Sequence, residues 1–308
     1  MIGLVVTALV PVVLLIGLGA VLRRTLLTEG GFWADAERLS YFVLLPALFF
    51  HGLATTDVAE LRVGDLATVL ICSTVIVAVL VVLLWPLLRR RVGGDGFTSV
   101  FQGSIRFNNY IGVTVAAGMY GAEGVAYAAV CNAVIVPMVN VLCVLVFARF
   151  GSVRLGLVDT LREIATNPLI VSCVAGVAVH AVGLRLPPGL GPALQALGSA
   201  SMPLGLLCVG AALRFTALGS WAGQISTASA MKFVALPAVT FLIARAVGLD
   251  SRALVIAMMF QALPTASSAY ILARRLGGDA PLMAGITAVQ TVVGLVTMPL
   301  VLVLTIPA

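Results

Sequence analysis

The stretch Ile105-Arg106-Phe107-Asn108-Asn109-Tyr110-Ile111-Gly112 places a cation, two adjacent amides and a glycine in the middle of a long apolar segment. Asparagine is a poor residue for a helix interior, because its side chain competes for backbone hydrogen bonds, but it is a good helix cap. We therefore expect a membrane-spanning helix that stops and restarts here. Such a break is tolerable only where protein or a water-filled cavity surrounds it.

A second break is predicted near the other end of the chain, in the segment QALPTASSAY that begins at Gln261. Pro264 cannot donate a hydrogen bond to a helix, and it disfavours the α conformation for Leu263. Thr265 can cap the half-helix that follows. The two breaks stand at matching places in two halves of the chain, and such matched interruptions point to the binding site of a transporter.

The composition indicates the protein class. The chain has 308 residues, of which 61% are hydrophobic and only 10% are charged, and its mean hydropathy is +1.15. These values predict an all-α, polytopic membrane protein. The five cysteines stand in apolar segments without a CxxC pair, so we expect them to pack and predict neither a metal site nor a cofactor. The surplus of arginine is typical of positively charged cytoplasmic loops, not of nucleic-acid binding.

The apolar segments predict about ten spans. They lie near 2–22, 36–54, 66–88, 98–119, 124–147, 167–184, 192–213, 225–245, 252–275 and 281–304. Most basic residues flank one set of span ends, which we assign to the cytoplasm, so both termini are predicted on the outer side of the bacterial inner (plasma) membrane. The fewer basic residues of the opposite side are Arg62, Arg185, Arg245 and Arg252.

The chain also divides into two similar halves, 1–147 and 167–308, joined by a short cytoplasmic linker over 148–166. An offset of 156 or 157 residues pairs several residues of the two halves. The pairs are Gly19 with Gly176, Pro46 with Pro203, Asn108-Asn109 with Pro264-Thr265, and Gly121-Ala122-Glu123 with Gly277-Gly278-Asp279. Each half has an odd number of spans, so the second must be inverted relative to the first, which is the plan of many secondary transporters.

The predicted centre favours an anionic ligand. Helix N-termini bind anions, and the ionisable side chains predicted deep inside spans are the cations Arg106 and Lys232, without a deep Asp or Glu. Each has a structural alternative. Arg106 can face the C-terminal end of its own half-helix, Lys232 can extend to the lipid headgroups, and the two asparagines can join neighbouring helices.

The candidate site combines both breaks. Its predicted substrate-binding residues are Asn108, Asn109, Tyr110, Gln261, Pro264, Thr265, Ser267, Ser268 and Tyr270, with Arg106 and Lys232 as supporting charges. Three other polar residues near the breaks in sequence are predicted to be helix–helix contacts, namely Asn132, Asn140 and Gln290.

Four segments resemble the auxin efflux carrier (AEC) family, and in particular its bacterial members, some of which are described as malonate or malate carriers. They are YFVLLPALFFHGLATTD, RFNNYIGVTVAAGMYGAEGVAYAAVCNAVIVPMVNVL, TNPLI and ALPTASSAYILARRLGGDAPLMAGITAVQTVVGLVTMPLVL. The resemblance implies ten helices with the fourth and ninth broken and crossed, similar to PIN-type plant auxin carriers and bile-acid symporters. It also implies transport of organic carboxylates. Asn108 and Asn109 then take the fourth-helix crossover position, and Pro264 and Thr265 the ninth.

The sequence departs from the plant pattern in two ways: it has no proline at the first break, and only Ala148 to Thr166 connects the fifth and sixth spans. Auxin is therefore less favoured as the substrate than a smaller carboxylate. Regulation through a long loop is not favoured either. Which helices move follows only from fold-level analogy. The crossing helices, with the spans adjoining them, are expected to form a transport or core unit, whereas the spans carrying 1–54 and 167–213 include the scaffold, with Pro46 and Pro203 bending the second span of each half.

Together these features predict a secondary transporter of small organic anions, mono- or dicarboxylates such as malonate, malate or auxin-like acids, that works by alternating access in the lipid bilayer. An enzyme is not predicted, because the chain has no GxSxG or HExxH motif and no intramembrane carboxylate pair. The alternative is a cation/proton antiporter of related architecture, which should carry a carboxylate at membrane depth. Protons as a coupling partner and a homodimer stay open.

Overall fold

The computed structural model describes residues 2–55, 63–90, 92–151, 162, 165–184, 186–215, 218–266 and 268–305, and within these ranges it contains helices and no strand. The predicted all-α class is confirmed. The α-helices are α1 Ile2–Thr25, α2 Gly30–Leu39, α3 Leu45–Thr55, α4 Val63–Leu83, α5 Trp85–Leu88, α6 Gly94–Ile105, α7 Asn109–Phe150, α8 Pro168–Ala181, α9 Leu190–Ala212, α10 Ala222–Ala230, α11 Leu236–Val247, α12 Ser251–Gln261, α13 Ser268–Leu276 and α14 Ala280–Thr305.

Several of these helices are long and apolar enough to cross a membrane. By length and composition, the described residues provide 7 such segments, together with the shorter apolar helices Pro168–Ala181 and Ser251–Gln261. One segment, Gly94–Phe150, has 57 residues, which is enough for two crossings of about 20 residues each. The protein is therefore a multi-pass membrane protein, whereas the number of ten spans stays a prediction.

Two helices begin after a single π-helical turn. The turns are Ser40–Leu44 before α3 and Met231–Ala235 before α11. Pro46 and Pro237 stand at the starts of these helices, and a proline ring clashes with the carbonyl four residues earlier while offering no N–H. A wider π turn removes that conflict. Pro203, the residue paired with Pro46 in the sequence, lies inside α9 without such a turn.

The described residues form two compact units, and each unit draws on both halves of the sequence. The first unit comprises the described parts of Met1–Val63, Asn109–Ala133 and Glu163–Ala212, and the second comprises those of Gly64–Asn108, Val134–Arg162 and Leu213–Ala308. The segments 1–54 and 167–213, predicted to include the scaffold, thus fall within the first unit, except for Leu213.

Glycines allow close helix packing in the first unit. A Cβ at Gly19 on α1 would collide with the backbone of Leu207 on α9, and one at Gly176 on α8 would lie 2.8 Å from the carbonyl oxygen of Phe50 on α3. Small residues at such contacts let two helix backbones approach. Helix α1 therefore packs on α9, and α8 packs on α3.

In the second unit, α6 lies against α10, α13 and α14. Val100 of α6 belongs to an apolar cluster with Ala228 of α10, Ala269 of α13 and Ile286 of α14. At the start of α6, the ring of Phe97 lies 4.9 Å from that of Trp85 and 5.0 Å from that of Phe150. These contacts fix the position of α6, which ends at the first break.

Some residues used in the sequence analysis lie outside the described residues. They are Ser267, a predicted substrate contact, the arginines Arg62 and Arg185, and most of the predicted linker 148–166.

Candidate functional site

The helix stops and restarts at the first predicted break. Helix α6 ends at Ile105, and Arg106 follows in an extended conformation, with φ −72° and ψ 159°. Its backbone N–H still donates to the carbonyl of Gln102 at 2.9 Å. Helix α7 begins at Asn109, so the break occupies Arg106 to Asn108, as expected from the preference of asparagine for helix ends.

The second predicted break is also present. Helix α12 ends at Gln261 after 11 residues, and α13 begins at Ser268 and has 9 residues. At about 1.5 Å per residue, each is roughly half as long as a 30 Å hydrocarbon core is thick. Thr265 is buried, and its hydroxyl makes no hydrogen bond among the described residues. The prediction that Thr265 caps α13 is therefore wrong, since the helix starts three residues later.

The two breaks are joined directly and through one side chain. The backbone N–H of Asn108 donates to the carbonyl of Pro264 at 2.8 Å. The side chain of Gln290, on α14, accepts a hydrogen bond from the Thr265 N–H at 3.1 Å and donates one to the carbonyl of Gly103 at 2.9 Å. Gln290 therefore satisfies a backbone group beside each break, and its role as a helix–helix contact is confirmed.

Arg106 connects three parts of the second unit. Its Nη1 donates to Asn140 Oδ1 at 3.0 Å and its Nη2 to Ser268 Oγ at 3.4 Å. As the residue directly after the C-terminal end of α6, Arg106 holds the position that its structural alternative requires, but its guanidinium is directed at the N-terminus of α13. Two positive features meet there, because a helix N-terminus carries a partial positive charge. No carboxylate is paired with Arg106 within the described ranges.

The side-chain amide of Gln261 is hydrogen-bonded to helix α4. Its Nε2 lies 2.8 Å from Ser73 Oγ, 2.9 Å from Thr74 Oγ1 and 3.3 Å from the carbonyl of Leu70, all on α4. The end of α12 is thus anchored to α4. The role of Gln261 in substrate binding stays a prediction.

The two tyrosines of the candidate site occupy different units. Tyr270, on α13, is half-buried and packs against the apolar cluster of the second unit. Tyr110, one residue after Asn109 at the start of α7, belongs to the first unit. Its ring covers the backbone of Gly205 on α9 so closely that any Cβ there would collide with it. Asn132, also of the first unit, donates to the carbonyl of Ala128 in its own helix instead of joining two helices.

Lys232 lies on the π turn before α11 and is 0% exposed. The alternative that its side chain extends to the lipid headgroups is therefore wrong. Its Nζ atom makes no hydrogen bond among the residues that the structure describes. Gln102, one turn before Arg106 on α6, is likewise buried, and its amide nitrogen and oxygen have no partner there. The site prediction from sequence missed Gln102. The available signal was a polar side chain in the apolar half-helix before the first break.

The carboxylates of the second unit that fall in the described ranges stand at helix ends. Asp65 and Asp95 are in the first turns of α4 and α6, Asp250 is the N-cap of α12, and Asp279 precedes α14 and accepts from the N–H of Leu282 at 2.9 Å. The same residues contain no group of three His, Cys, Asp or Glu side chains that could hold a metal ion.

The chain is similar to known transporters. A family model described as "Membrane transport protein" matches residues 151–302. A protein of Rhizobium meliloti (strain 1021) named "Putative malonate transporter" is 26% identical over 251 residues, which cover 77% of this chain and 75% of that protein. These similarities agree with the segments that resemble auxin efflux carriers and with the multi-pass helical structure. Over its second half the chain is thus similar to a family of membrane transport proteins, and the likeness to bacterial members of the auxin efflux carrier family is a resemblance.

Proposed function

We propose that this protein is a secondary transporter that carries small organic anions, mono- or dicarboxylates, across the bacterial inner membrane by alternating access. The observation that carries the proposal is Arg106. Its guanidinium lies between the end of α6 and the start of α13, bonded to the neutral oxygens of Asn140 and Ser268. A substrate carboxylate would supply the negative charge that this arrangement lacks.

The helix ends add to the attraction. The N–H groups at the start of a helix are not used within the helix and favour an anion, by up to about 2 kcal/mol where they are partly buried. The N-terminus of α13 is beside Arg106, so both would act on the same carboxylate. In this proposal Asn108, Thr265 and Ser268 line the path of the substrate, and the two broken helices cross.

The repeat supports the transporter plan. Gly121 and Gly277, which the sequence offset pairs, both have positive φ, 58° and 70°, and Gly19 and Gly176 both lie against a neighbouring helix backbone. Helices α1 and α8 are equivalent in the repeat, and so are α3 and α9. The packing of α1 on α9 and of α8 on α3 is thus a pair of related contacts. We propose that the halves are inverted repeats, with both termini outside.

The cation/proton antiporter is the weaker alternative. It needs a carboxylate at membrane depth, whereas the described carboxylates of the second unit stand at helix ends and the groups bonded at the breaks are amides, hydroxyls and a guanidinium. The name of the Rhizobium meliloti relative mentions malonate, which is a dicarboxylate. We therefore place this chain among carriers of small carboxylates.

The test is uptake into proteoliposomes. Labelled malonate, malate and indole-acetate are offered with and without a pH gradient. Arg106→Gln should lower uptake by about tenfold or more, the value of a hydrogen bond to a charged group. Asn108→Ala should abolish uptake while the purified protein stays folded by size-exclusion chromatography.

Arg274→Gln is the matched control, because it removes an exposed arginine from α13 and should leave uptake unchanged. If neither Arg106→Gln nor Asn108→Ala altered uptake, the proposed site would be wrong. If the wild-type protein took up none of the acids, the proposed substrate class would be wrong.

A further inference from the structure

Lys232 has chemistry that the site described above does not use. It is the only lysine in the chain, it is 0% exposed, and its Nζ has no hydrogen-bond partner among the described residues. An ammonium offers three donors and no acceptor. Buried charges in proteins are normally paired, because an unpaired one is costly. Within the described part of the chain, this side chain therefore lacks an anionic or acceptor partner.

Lys232 lies about one helical turn after Ala228, a residue that packs against the helix leading to the first break. Ala228 stands on α10, the helix that precedes Lys232. A Cβ built on Gly103 of α6 would lie 3.2 Å from the Cβ of Ala228. The carbonyl of Gly103 accepts the hydrogen bond of Gln290, which also holds Thr265. Lys232 follows Ala228 by four residues, or about one helical turn, and its π turn contacts both α6 and α14.

Other buried polar atoms of the second unit are also without partners among the described residues. They are the side-chain amide of Gln102, next to Gly103, the hydroxyl of Ser229, next to Ala228, and the hydroxyl of Thr265 at the second break. Most buried polar groups have a hydrogen-bond partner, so each exception calls for an explanation. All of them can donate a hydrogen bond, so each is able to bind an acceptor oxygen of a ligand, as Lys232 is.

Within the described residues, the helices found packed against the π turn do not supply the missing charge. These are α6, α10, α11 and α14. Helices α10 and α14 contain no Asp or Glu, α11 contains the exposed Arg245, and the one carboxylate of α6 is Asp95, in its first turn. Arg106, the cation at the end of α6, adds to the positive charge instead of balancing it.

We propose that Lys232 is a second anion-recognition group of this unit and that the substrate is a dianion, a short dicarboxylate. One carboxylate binds at Arg106 and the start of α13, and the other binds Lys232. The proposal rests on the proposed transport of organic anions and specifies the charge of the substrate. It makes Lys232 the residue that separates dicarboxylates from monocarboxylates of the same shape.

The test compares malonate with malonamate, which has the same shape but one carboxylate replaced by an amide. In wild-type proteoliposomes, malonate should be taken up with an apparent affinity about tenfold to a hundredfold higher than that of malonamate, the range expected for a hydrogen bond between charged groups. Lys232→Met should lower the affinity for malonate by that factor and change the affinity for malonamate less than about twofold. Arg245→Gln, which removes an exposed cation from α11, should retain the wild-type ratio.

Two measurements do not depend on transport. Without ligand, Lys232→Met should melt at the same temperature as wild type or higher, because it removes a buried polar group that has no partner. Malonate should stabilise the wild-type protein against thermal unfolding. In Lys232→Met, the stabilisation by malonate should be no larger than the stabilisation of the same variant by malonamate. Because the chain has one lysine, isotope-labelled lysine gives a single side-chain amine signal by NMR, which malonate should shift.

The outcomes separate the two proposals. If the wild-type protein transports neither compound and takes up neither malate nor indole-acetate, the proposed function fails. If it transports both and the malonate-to-malonamate ratio is the same in Lys232→Met, or if malonate binds without shifting the lysine signal, the inference about Lys232 is overturned while the proposed function stands.

Discussion

Replacing Gln290 by methionine should weaken the connection between the two breaks. The Gln290 side chain accepts from the Thr265 N–H at 3.1 Å and donates to the Gly103 carbonyl at 2.9 Å, and the residue is buried. Methionine has a similar length and helix propensity but a thioether in place of the amide. The substitution therefore leaves one buried N–H and one buried carbonyl without partners. Each such group costs about 1–3 kcal/mol, so the expected loss of stability is about 2–6 kcal/mol.

The assay combines a global and a local measurement. The free energy of unfolding is obtained from denaturant titration of the purified protein in detergent. Amide hydrogen exchange reports on the Thr265 N–H, which should exchange about tenfold faster or more in the variant, because its hydrogen-bond acceptor is gone. Gln195→Met is the control, since Gln195 is exposed on α9 and the same chemical change there should have little effect.

The result that would refute this reasoning is a Gln290→Met protein with wild-type unfolding free energy and wild-type exchange at Thr265. Either the hydrogen bonds of Gln290 would then be absent in solution, or water would replace them without cost. A loss of stability shared by Gln195→Met would show that the effect comes from adding methionine and not from the link.

Two further predictions concern stability. A Cβ at Gly294 would lie 3.1–3.2 Å from the ring of Pro264, whereas one at Gly223 would have nothing within 4 Å. Thermal unfolding should show Gly294→Ala destabilised by about 1–3 kcal/mol and Gly223→Ala stabilised by about 0.5–1 kcal/mol. Equal effects of the two substitutions would contradict the close packing of the Pro264 ring against Gly294. Asp250 Oδ1 accepts from the N–H groups of Arg252 and Ala253, each at 3.0 Å, so Asp250→Ala should cost about 1 kcal/mol. Asp250→Asn should retain most of that stability, and an Asn variant as unstable as the Ala variant would mean that the charge matters and not the cap.

The environment of the breaks bears on the choice between an anion carrier and a cation carrier. A site for Na⁺ or a proton is built from carboxylates or carbonyl oxygens, and a buried lysine beside such a site would repel the cation. Here Lys232 and Arg106 lie in the unit that contains both breaks, and the hydrogen bonds found at the breaks come from neutral groups and Arg106. A negatively charged substrate fits these surroundings better than a metal ion.

The sequence alone determined the class of the protein and the positions of the breaks. The class follows from composition, because a chain so apolar and so poor in charge must place its helices in lipid. The breaks follow from local backbone chemistry. Asparagine favours a helix end over a helix interior, and proline cannot donate to the helix, so the interruptions at Asn108 and Pro264 needed no knowledge of the neighbouring helices. The resemblance to the auxin efflux carrier family was also readable from short segments.

The tertiary structure alone decided which polar groups meet. Gln290 is 187 residues from Gly103 in sequence, and Ser268 is 162 residues from Arg106, so no local pattern could pair them. Burial was also undetermined, because a lysine in an apolar helix can extend to the headgroups or stay inside, and only packing with α6 and α14 placed Lys232 inside. The cap at Thr265 failed for a related reason: its N–H is held by Gln290 from another helix, and α13 starts at Ser268. Hydrogen-bond partners and burial depend on contacts between distant segments, whereas helix breaks depend on the residues that form them.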